Sequence, residues 1–433
     1  MTRNIFVLGL TELQRRELDS VRGAHAYTFH ELLDYESLVH ETDYDLEKLL
    51  ARARQQLADF DGHVDAIVAH WDFPSSIIGP LLSAEHGLPA PSLPALLKCE
   101  HKYWSRLEQM ACVPEVVPRF ASFDPFAEDV LEQIGMEFPY WVKPVKAHSS
   151  ELGFAIHSEA DLREALQEIR EQIADVGDAF DQALSRVDLP AELEGAGGNS
   201  CLAGQIITGI QAAPEGTVFD GEFHVHGVFD MHRDEDGTSI ARLDYPASTI
   251  PESVQQRMVD VARRFMDHIG YDNAAFNVEY MWDRDTDQLW LIEVNTRISQ
   301  SHSDLFAKVD GASNHEVVID MALGRKPSMP HRQGPYAVAA KAAIFHDEDA
   351  IVTGIPSEQD VAAVRERFPD TQLTLQVEVG DRLSELPHQA SYRFILGDVY
   401  LGADSREQLE EHYRDILEML PFTFRPVVTQ DAS

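Results

Sequence analysis

Cysteine is scarce in this chain. Only Cys99, Cys112 and Cys201 occur among 433 residues, and no two form a C-x-x-C pair. An odd, scattered set of thiols argues against a disulfide framework and a cysteine-held zinc, and fits a reducing cytoplasm. No apolar run approaches the ~18 residues of a membrane helix, so a membrane is not an expected partner. The opening M-T-R-N-I-F-V-L-G-L runs into T-E-L-Q-R-R-E without an A-x-A-type cleavage site. It reads as a first strand, not a signal peptide. Familiar site motifs are absent too. No G-x-G-x-x-G follows the first strand, G-x-x-x-x-G-K-[ST] does not occur, and the 19 histidines include no H-E-x-x-H.

Positive charge is also in short supply. Against 74 acidic residues stand 35 basic ones, a net charge of −39. So acidic a protein repels nucleic acid and anionic lipid, which excludes both as expected partners. Most of the basic residues are arginine. The eight lysines are Lys48, Lys98, Lys102, Lys143, Lys146, Lys308, Lys326 and Lys341. Abundant acid with little lysine describes a solvated surface suited to high salt. It also makes any cluster of lysines informative.

A chain this long exceeds one compact core, and two to four domains are expected. Residues 5–9 and 65–70 read as strands, and residues 45–57 and 75–88 as helices, the second ended by Gly87. Strand–helix–strand order predicts an α/β region with a parallel sheet. Three prolines within 89–94 mark a boundary. Beyond it, residues 138–145 predict a strand and 158–173 a helix capped by Ser158 with Asp161 three residues on. Residues 191–200, A-E-L-E-G-A-G-G-N-S, read as a mobile loop. Strands follow at 201–209 and 222–230. A helix over 253–270 has Val254, Met258, Val261, Phe265 and Ile269 on one side and Gly270 as its stop. The tail, 335–433, alternates short strands and turns and ends in a helix. No internal repeat is present.

The most informative stretch is a hairpin. F-N-V-E-Y-M-W (276–282) and Q-L-W-L-I-E-V-N (288–295) flank the polar D-R-D-T-D. Symmetric pairing about Asp285 sets Asn277 opposite Glu293 and Glu279 opposite Leu291. Alternate residues of a strand share a face, so Asn277, Glu279, Glu293 and Asn295 look the same way. A one-residue slip would undo this. Two carboxylates and a carboxamide are hard oxygen ligands suited to Mg²⁺, which completes its shell with water and substrate phosphates. Arg297, two residues beyond, suits charge on a transferring phosphoryl group. The bland alternative is a solvated face of an edge hairpin. The full spacing E-x(13)-E-x-N-x-R favours the ligand set.

With its E-V-N-T-R ending and the run S-Q-S-H-S-D-L-F-A-K-V-D-G after it, this hairpin resembles that of the ATP-grasp superfamily, in its carbamoyl-phosphate synthetase, biotin carboxylase and amino-acid ligase branches. The resemblance covers about residues 95–330. It implies an ATP-grasp fold, α/β with an α+β lid, behind an N-terminal Rossmann-like domain. The expected division is 1–97, then 98–330 with a lid at about 118–210, then a C-terminal subdomain over 331–433. Glu279, Glu293 and Asn295 match the family's metal ligands and Arg297 its phosphate-binding arginine.

W-V-K-P-V-K-A-H-S-S-E-L-G-F (141–154) joins a strand, two lysines and a small-residue turn. Ser149, Ser150 and Gly153 leave backbone N–H groups able to cradle phosphate. The stretch is similar to the ATP-grasp lid V-K-P-x-x-x-x-S-S-x-G. Lys143 matches the lid lysine, Lys146 assists it, and Lys102 matches an earlier nucleotide-binding lysine. G-Q-I-I-T-G-I-Q (204–211) is similar to the family's adenine hinge, in which backbone groups at Gln205 and Ile207 would read the base. Gly204 and Gln211 stand where acids are common. Gln211 takes the place of the acid that holds ribose hydroxyls, and its amide oxygen can still accept a hydrogen bond.

Other candidates carry less. His224 and His226 share a strand face without a third ligand, which fits a polar strand face or pocket wall. Ser299, Ser301 and His302 follow Arg297 and could equally touch substrate or be structural. Cys99, Arg393 and the acidic turn at 283–287 show only packing or surface roles.

The resemblance implies ATP with Mg²⁺, or Mn²⁺ in its place, and small-molecule carboxylate and amine substrates. The reaction expected is ADP-forming ligation through an acylphosphate, protected from water by closure of 146–153. A biotin carboxylase-type subunit is the alternative enzyme, although the H-S-S-E-L-G loop lacks that group's glycine tract. A nucleotide-binding regulator without turnover is the alternative of another class. A homodimer is a family expectation.

Overall fold

The N-terminal alternation of apolar runs and helical patterns builds a small parallel sheet. The computed structural model describes residues 2–41, 44–147, 152–234, 240–386 and 393–427. Strand β1 (Arg3–Leu8), helix α1 (Glu12–Ser20), β2 (Tyr27–Leu32), α2 (Leu46–Ala58), β3 (Ala66–Ala69) and α3 (Ser75–Glu85) follow in order. β1 lies between β2 and β3 and parallel to both. Its Phe6, Val7 and Leu8 are all buried, as expected of a strand covered on both faces. The Asp45 carboxylate starts α2 by accepting from the Lys48 backbone N–H at 3.1 Å.

Two short helices come next. α4 (Leu93–Glu100) is capped by Ser92 and α5 (Lys102–Cys112) by the His101 ring. Then come β4 (Phe120–Phe123), α6 (Val130–Ile134), β5 (Tyr140–Pro144), β6 (Phe154–Ile156), α7 (Glu159–Gln172), α8 (Ala174–Leu184) and β7 (Cys201–Gln205). Their antiparallel sheet runs β4-β7-β5-β6. Ser158 caps α7 through the Asp161 N–H, as its sequence predicts. Tyr140, Val142, Ile156, Cys201 and Ala203 pack under Leu162, Leu166 and Ile169 of α7. Strand alternation therefore turns Lys143 to the opposite face.

The glycine-rich loop 191–200 differs from expectation. Its composition serves close packing on α8. A β-carbon on Gly198 would fall 2.2 Å from the Gly177 carbonyl oxygen, and the Gly198 N–H donates to Asp181 Oδ1 at 2.7 Å.

The chain continues through β8 (Ile210–Phe219), β9 (Glu222–Arg233), β10 (Ile240–Tyr245), α9 (Glu252–Ile269), β11 (Ala274–Asp283), β12 (Gln288–Asn295), α10 (Gln300–Asp310) and α11 (Asn314–Ala322). α9 buries Val254, Met258, Val261, Phe265 and Ile269, and Gly270 ends it at φ 68°. The remaining elements are β13 (Val338–His346), β14 (Ala350–Gly354), α12 (Glu358–Arg367), β15 (Gln372–Leu375), β16 (Phe394–Ala403), α13 (Arg406–Glu418) and β17 (Thr423–Pro426). β17 corrects the expectation of a terminal helix, since it follows α13 and pairs antiparallel with β14. No helix among the described residues is long and apolar enough to cross a membrane.

The chain forms two compact units. The first comprises Met1–His226, Ile250–Gln300 and Asn314–Met329, and the second Gly227–Thr249, Ser301–Ser313 and Pro330–Ser433. In the first, β11 lies antiparallel between β8 and β12. In the second, β10, β13, β16 and β15 are successive antiparallel neighbours over a core that includes Val364, Leu396, Val399, Leu409 and Ile416.

Gly198→Ala tests the loop packing. It should lower stability by about 1–3 kcal/mol, because backbone crowds the new methyl group. Thermal melting compared with wild type measures it.

Candidate active site

The hairpin β11–β12 brings the two glutamates together, in a register other than the symmetric one. From the loop inward, Asp283 pairs with Gln288, Trp282 with Leu289, Met281 with Trp290 and Tyr280 with Leu291. This ladder is one residue out of symmetry about Asp285. A β-bulge then adds a second offset, so that Glu279 faces Glu293, Val278 faces Val294 and Asn277 faces Asn295. The two offsets together restore the shared face. Leu291 moves to the other side and is fully buried.

Donors and acceptors interlock on this face. Glu279 Oε2 accepts from Gln211 Nε2 at 2.8 Å, and Oε1 from Asn295 Nδ2 at 3.2 Å. Glu293 Oε1 lies 3.0 Å from Lys102 Nζ. Asn277 Nδ2 is buried and has no hydrogen-bond partner. Among the described residues no three His, Cys, Asp or Glu side chains form a ready-made metal cage. Two carboxylates and a carboxamide fit instead an ion that takes the rest of its shell from phosphate and water, as Mg²⁺ does.

Cations surround the acids. Cys99, Lys102, Arg106, Lys143, Leu202 and Glu293 line one narrow crevice. Burial lowers the Lys143 ammonium pKa to about 8; Lys102 and Arg106 push the same way, against the attraction of Glu293. Burial alone would raise Glu293, yet Lys102 and Lys143 hold its carboxyl well below the usual range. Lys102 is the first residue of α5, and its backbone N–H donates to the Val145 carbonyl at 3.0 Å, which ties the helix to the end of β5.

Lys146 has a different setting. Its ammonium forms a buried ion pair with Glu100 and lies over the Phe73 and Phe180 rings at 5.8 and 5.9 Å. The other Glu100 oxygen accepts from Thr296 Oγ1 at 2.6 Å. Burial alone would lower Lys146, but Glu100 and Asp72, with Glu293, together more than offset it and the pKa lies above that of an ordinary lysine.

Arg297 is held by a two-point fork. Its Nε and Nη2 each donate to an Asp72 oxygen at 2.9 Å. Asp72 follows β3, at the carboxyl end of the parallel sheet, where α/β proteins commonly bind ligands. Next to Arg297, the Ser299 N–H and Asn314 Nδ2 both donate to the buried Glu215, at 2.8 and 2.7 Å.

This fold has relatives. Residues 229–328 match the family described as carbamoyl-phosphate synthase L chain, ATP binding domain. The carbamoyl phosphate synthase large chain of Thermotoga sp. (strain RQ2) is 28% identical over 177 residues, 40% of this chain and 15% of that protein. The chain thus spans about 15% of that relative's length. L-amino acid ligase from Bacillus licheniformis superposes with TM-score 0.71 and 15% identity over 98% of this chain and 99% of its own. Biotin carboxylase from Campylobacter jejuni gives TM-score 0.64 and 15% identity over 98% and 93%. The chain has the ATP-grasp fold.

Within that ATP-grasp fold, the structure brings Lys102, Lys143, Gln211, Glu279, Glu293 and Asn295 to one region. Arg297 and Lys146 lie beside it on Asp72 and Glu100. Gln205 ends β7, where its backbone N–H donates to Arg119, and Ile207 lies in the link to β8. Gly153 immediately precedes β6. Ser149 and Ser150 lie outside the described residues. The weaker candidates have local partners. Burial lowers His226 to about 4, and its Nε2 lies 3.0 Å from Thr217 Oγ1. His224 lies near Glu222, His302 stacks on Phe229, and Arg393 pairs with Asp347.

Sequence reasoning missed Asp72, Glu100, Arg106 and Glu215. Only Asp72 carried a signal, as a lone acid just past an apolar strand.

The Lys146–Glu100 pair yields a stability test. Lys146→Ala strands a buried carboxylate and should destabilise by about 3–5 kcal/mol, whereas Lys146→Met with Glu100→Leu should recover most of that loss. Denaturant melts of the single and double variants measure it.

Proposed function

We propose that this protein is an ATP-dependent, ADP-forming carboxylate–amine ligase acting on amino acids or similar small metabolites. The observation that carries this reading is Glu279 opposite Glu293, with Asn295 on the same face and Lys102 and Lys143 against them. The whole-chain likeness to an L-amino acid ligase supports the substrate class.

Glu279, Glu293 and Asn295 would hold Mg²⁺, or Mn²⁺, which when bound neutralises phosphate charge. Lys102 and Lys143 bind phosphate oxygens, and Arg297, oriented by Asp72, stabilises charge on the transferring phosphoryl group. A substrate carboxylate oxygen attacks the γ-phosphorus and ADP leaves. The amine then attacks the acylphosphate carbonyl carbon, loses a proton and expels phosphate. The chain supplies position and electrostatics.

A nucleotide-binding regulator without turnover is the second reading. Gln211 favours it, because its amide engages Glu279 where the superfamily commonly has an acid. Phosphate and ADP release across a panel of amino acids with Mg-ATP separates the two. The ligase reading expects release that needs both an acid and an amine, reduced about a hundredfold or more by Glu293→Ala. Nucleotide binding without substrate-stimulated release identifies the regulator.

The Lys143 pKa of about 8 sets a pH dependence. Phosphate favours the charged ammonium, so binding above that pH must take up a proton. Mg-nucleotide affinity should be flat below it and fall by up to about tenfold per pH unit above it. Calorimetric titration from neutral to alkaline pH checks this, and Lys143→Met should flatten the profile.

A further inference from the structure

The bulge in β12 restores the ligand face, and the bulge itself needs support. Where two residues oppose one, backbone carbonyls lose their ladder partners. Those of Leu291 and Ile292 are satisfied from α5. Arg106 Nη1 donates to Leu291 O at 2.7 Å and Nη2 to Ile292 O at 2.9 Å. Nη1 also donates to Gln109 Oε1 at 2.7 Å, and Gln109 Nε2 donates to Ser105 Oγ at 2.9 Å. Arg106 is only 7% exposed.

We propose that Arg106 is a positioning residue: its fork on the Leu291 and Ile292 carbonyls holds the bulge that sets Glu293 opposite Glu279. The assignment rests on the reading of Glu279, Glu293 and Asn295 as the metal-binding set. Without the bulge, the register from Asp283–Gln288 through Tyr280–Leu291 would continue. Glu293 would then pair with Val278, and its carboxylate would turn to the other face. Lys102, one helical turn before Arg106, meets the Glu293 carboxylate itself, so one face of α5 holds both backbone and side chain. A methionine could fill the same space without burying a charge. Only a planar guanidinium aims two donors at two successive carbonyls, and lysine, a point charge, cannot do so.

The test uses full-length wild type, Arg106→Lys and Arg106→Met, with Phe368→Leu in the second unit as a control for lost stability. Two affinities are measured: ADP with EDTA, and Mn²⁺ or Mg²⁺ at saturating ADP. Both Arg106 variants should weaken the metal about tenfold or more beyond any change in metal-free ADP binding, and lysine should not rescue. Phe368→Leu should lower the melting temperature and leave metal affinity unchanged. Gln109→Leu, which removes the guanidinium's third partner, should show a smaller loss of metal affinity and serves if the Arg106 variants do not fold. Wild-type metal affinity in folded Arg106 variants, or in folded Gln109→Leu if they fail to fold, overturns the assignment. Absence of metal-dependent binding in wild type overturns the metal reading itself, and the assignment with it.

Discussion

Two carboxylates on neighbouring strands can meet one cation only if the ladder between them is correct to a single residue. A one-residue error turns one carboxylate to the opposite face of the sheet. The rest of the site is arranged around that requirement. The loop offset and the bulge add to a two-residue shift that keeps the face, Lys102 and Lys143 lie against Glu293, and Gln211 and Asn295 share Glu279. The acids arrive as a facing, half-buried pair and not as exposed charges.

The surrounding electrostatics follow from scarcity. A chain with net charge −39 and eight lysines places Lys102, Lys143 and Lys146 within or beside one site. Each cation there has a named opposite charge nearby. Within the site, acid and base are therefore nearly paired, unlike the chain as a whole. Burial makes these pairings count, because unpaired charge away from water is costly.

Features written in local spacing were legible before any coordinates. The shared face of Glu279, Glu293 and Asn295, the Ser158 cap and the apolar stripe of α9 all stand where their periodicity puts them. What could not be read depends on partners far along the chain. Arg106 meets Leu291 across 185 positions, and Arg297 meets Asp72 across 225. The bulge at L-I-E-V has no glycine to announce it, so pairing by symmetry gave the right face through the wrong partners. The loop 191–200 misled in the opposite sense. Glycine was read as freedom, but Gly198 is small because Gly177 is close.

The first compact unit is assembled from three separated stretches, the last ending at Met329. Arg22 is bound by Glu316, and Glu17 lies 2.9 Å from His315. A ribosome must therefore deliver α11 before the opening sheet meets its final neighbours, roughly 15–65 s after β1 at ordinary elongation rates. Over that interval the nascent N-terminal strands lack part of their cover. Keeping those strands covered until α11 arrives is a demand made on the growing chain that the finished molecule no longer shows.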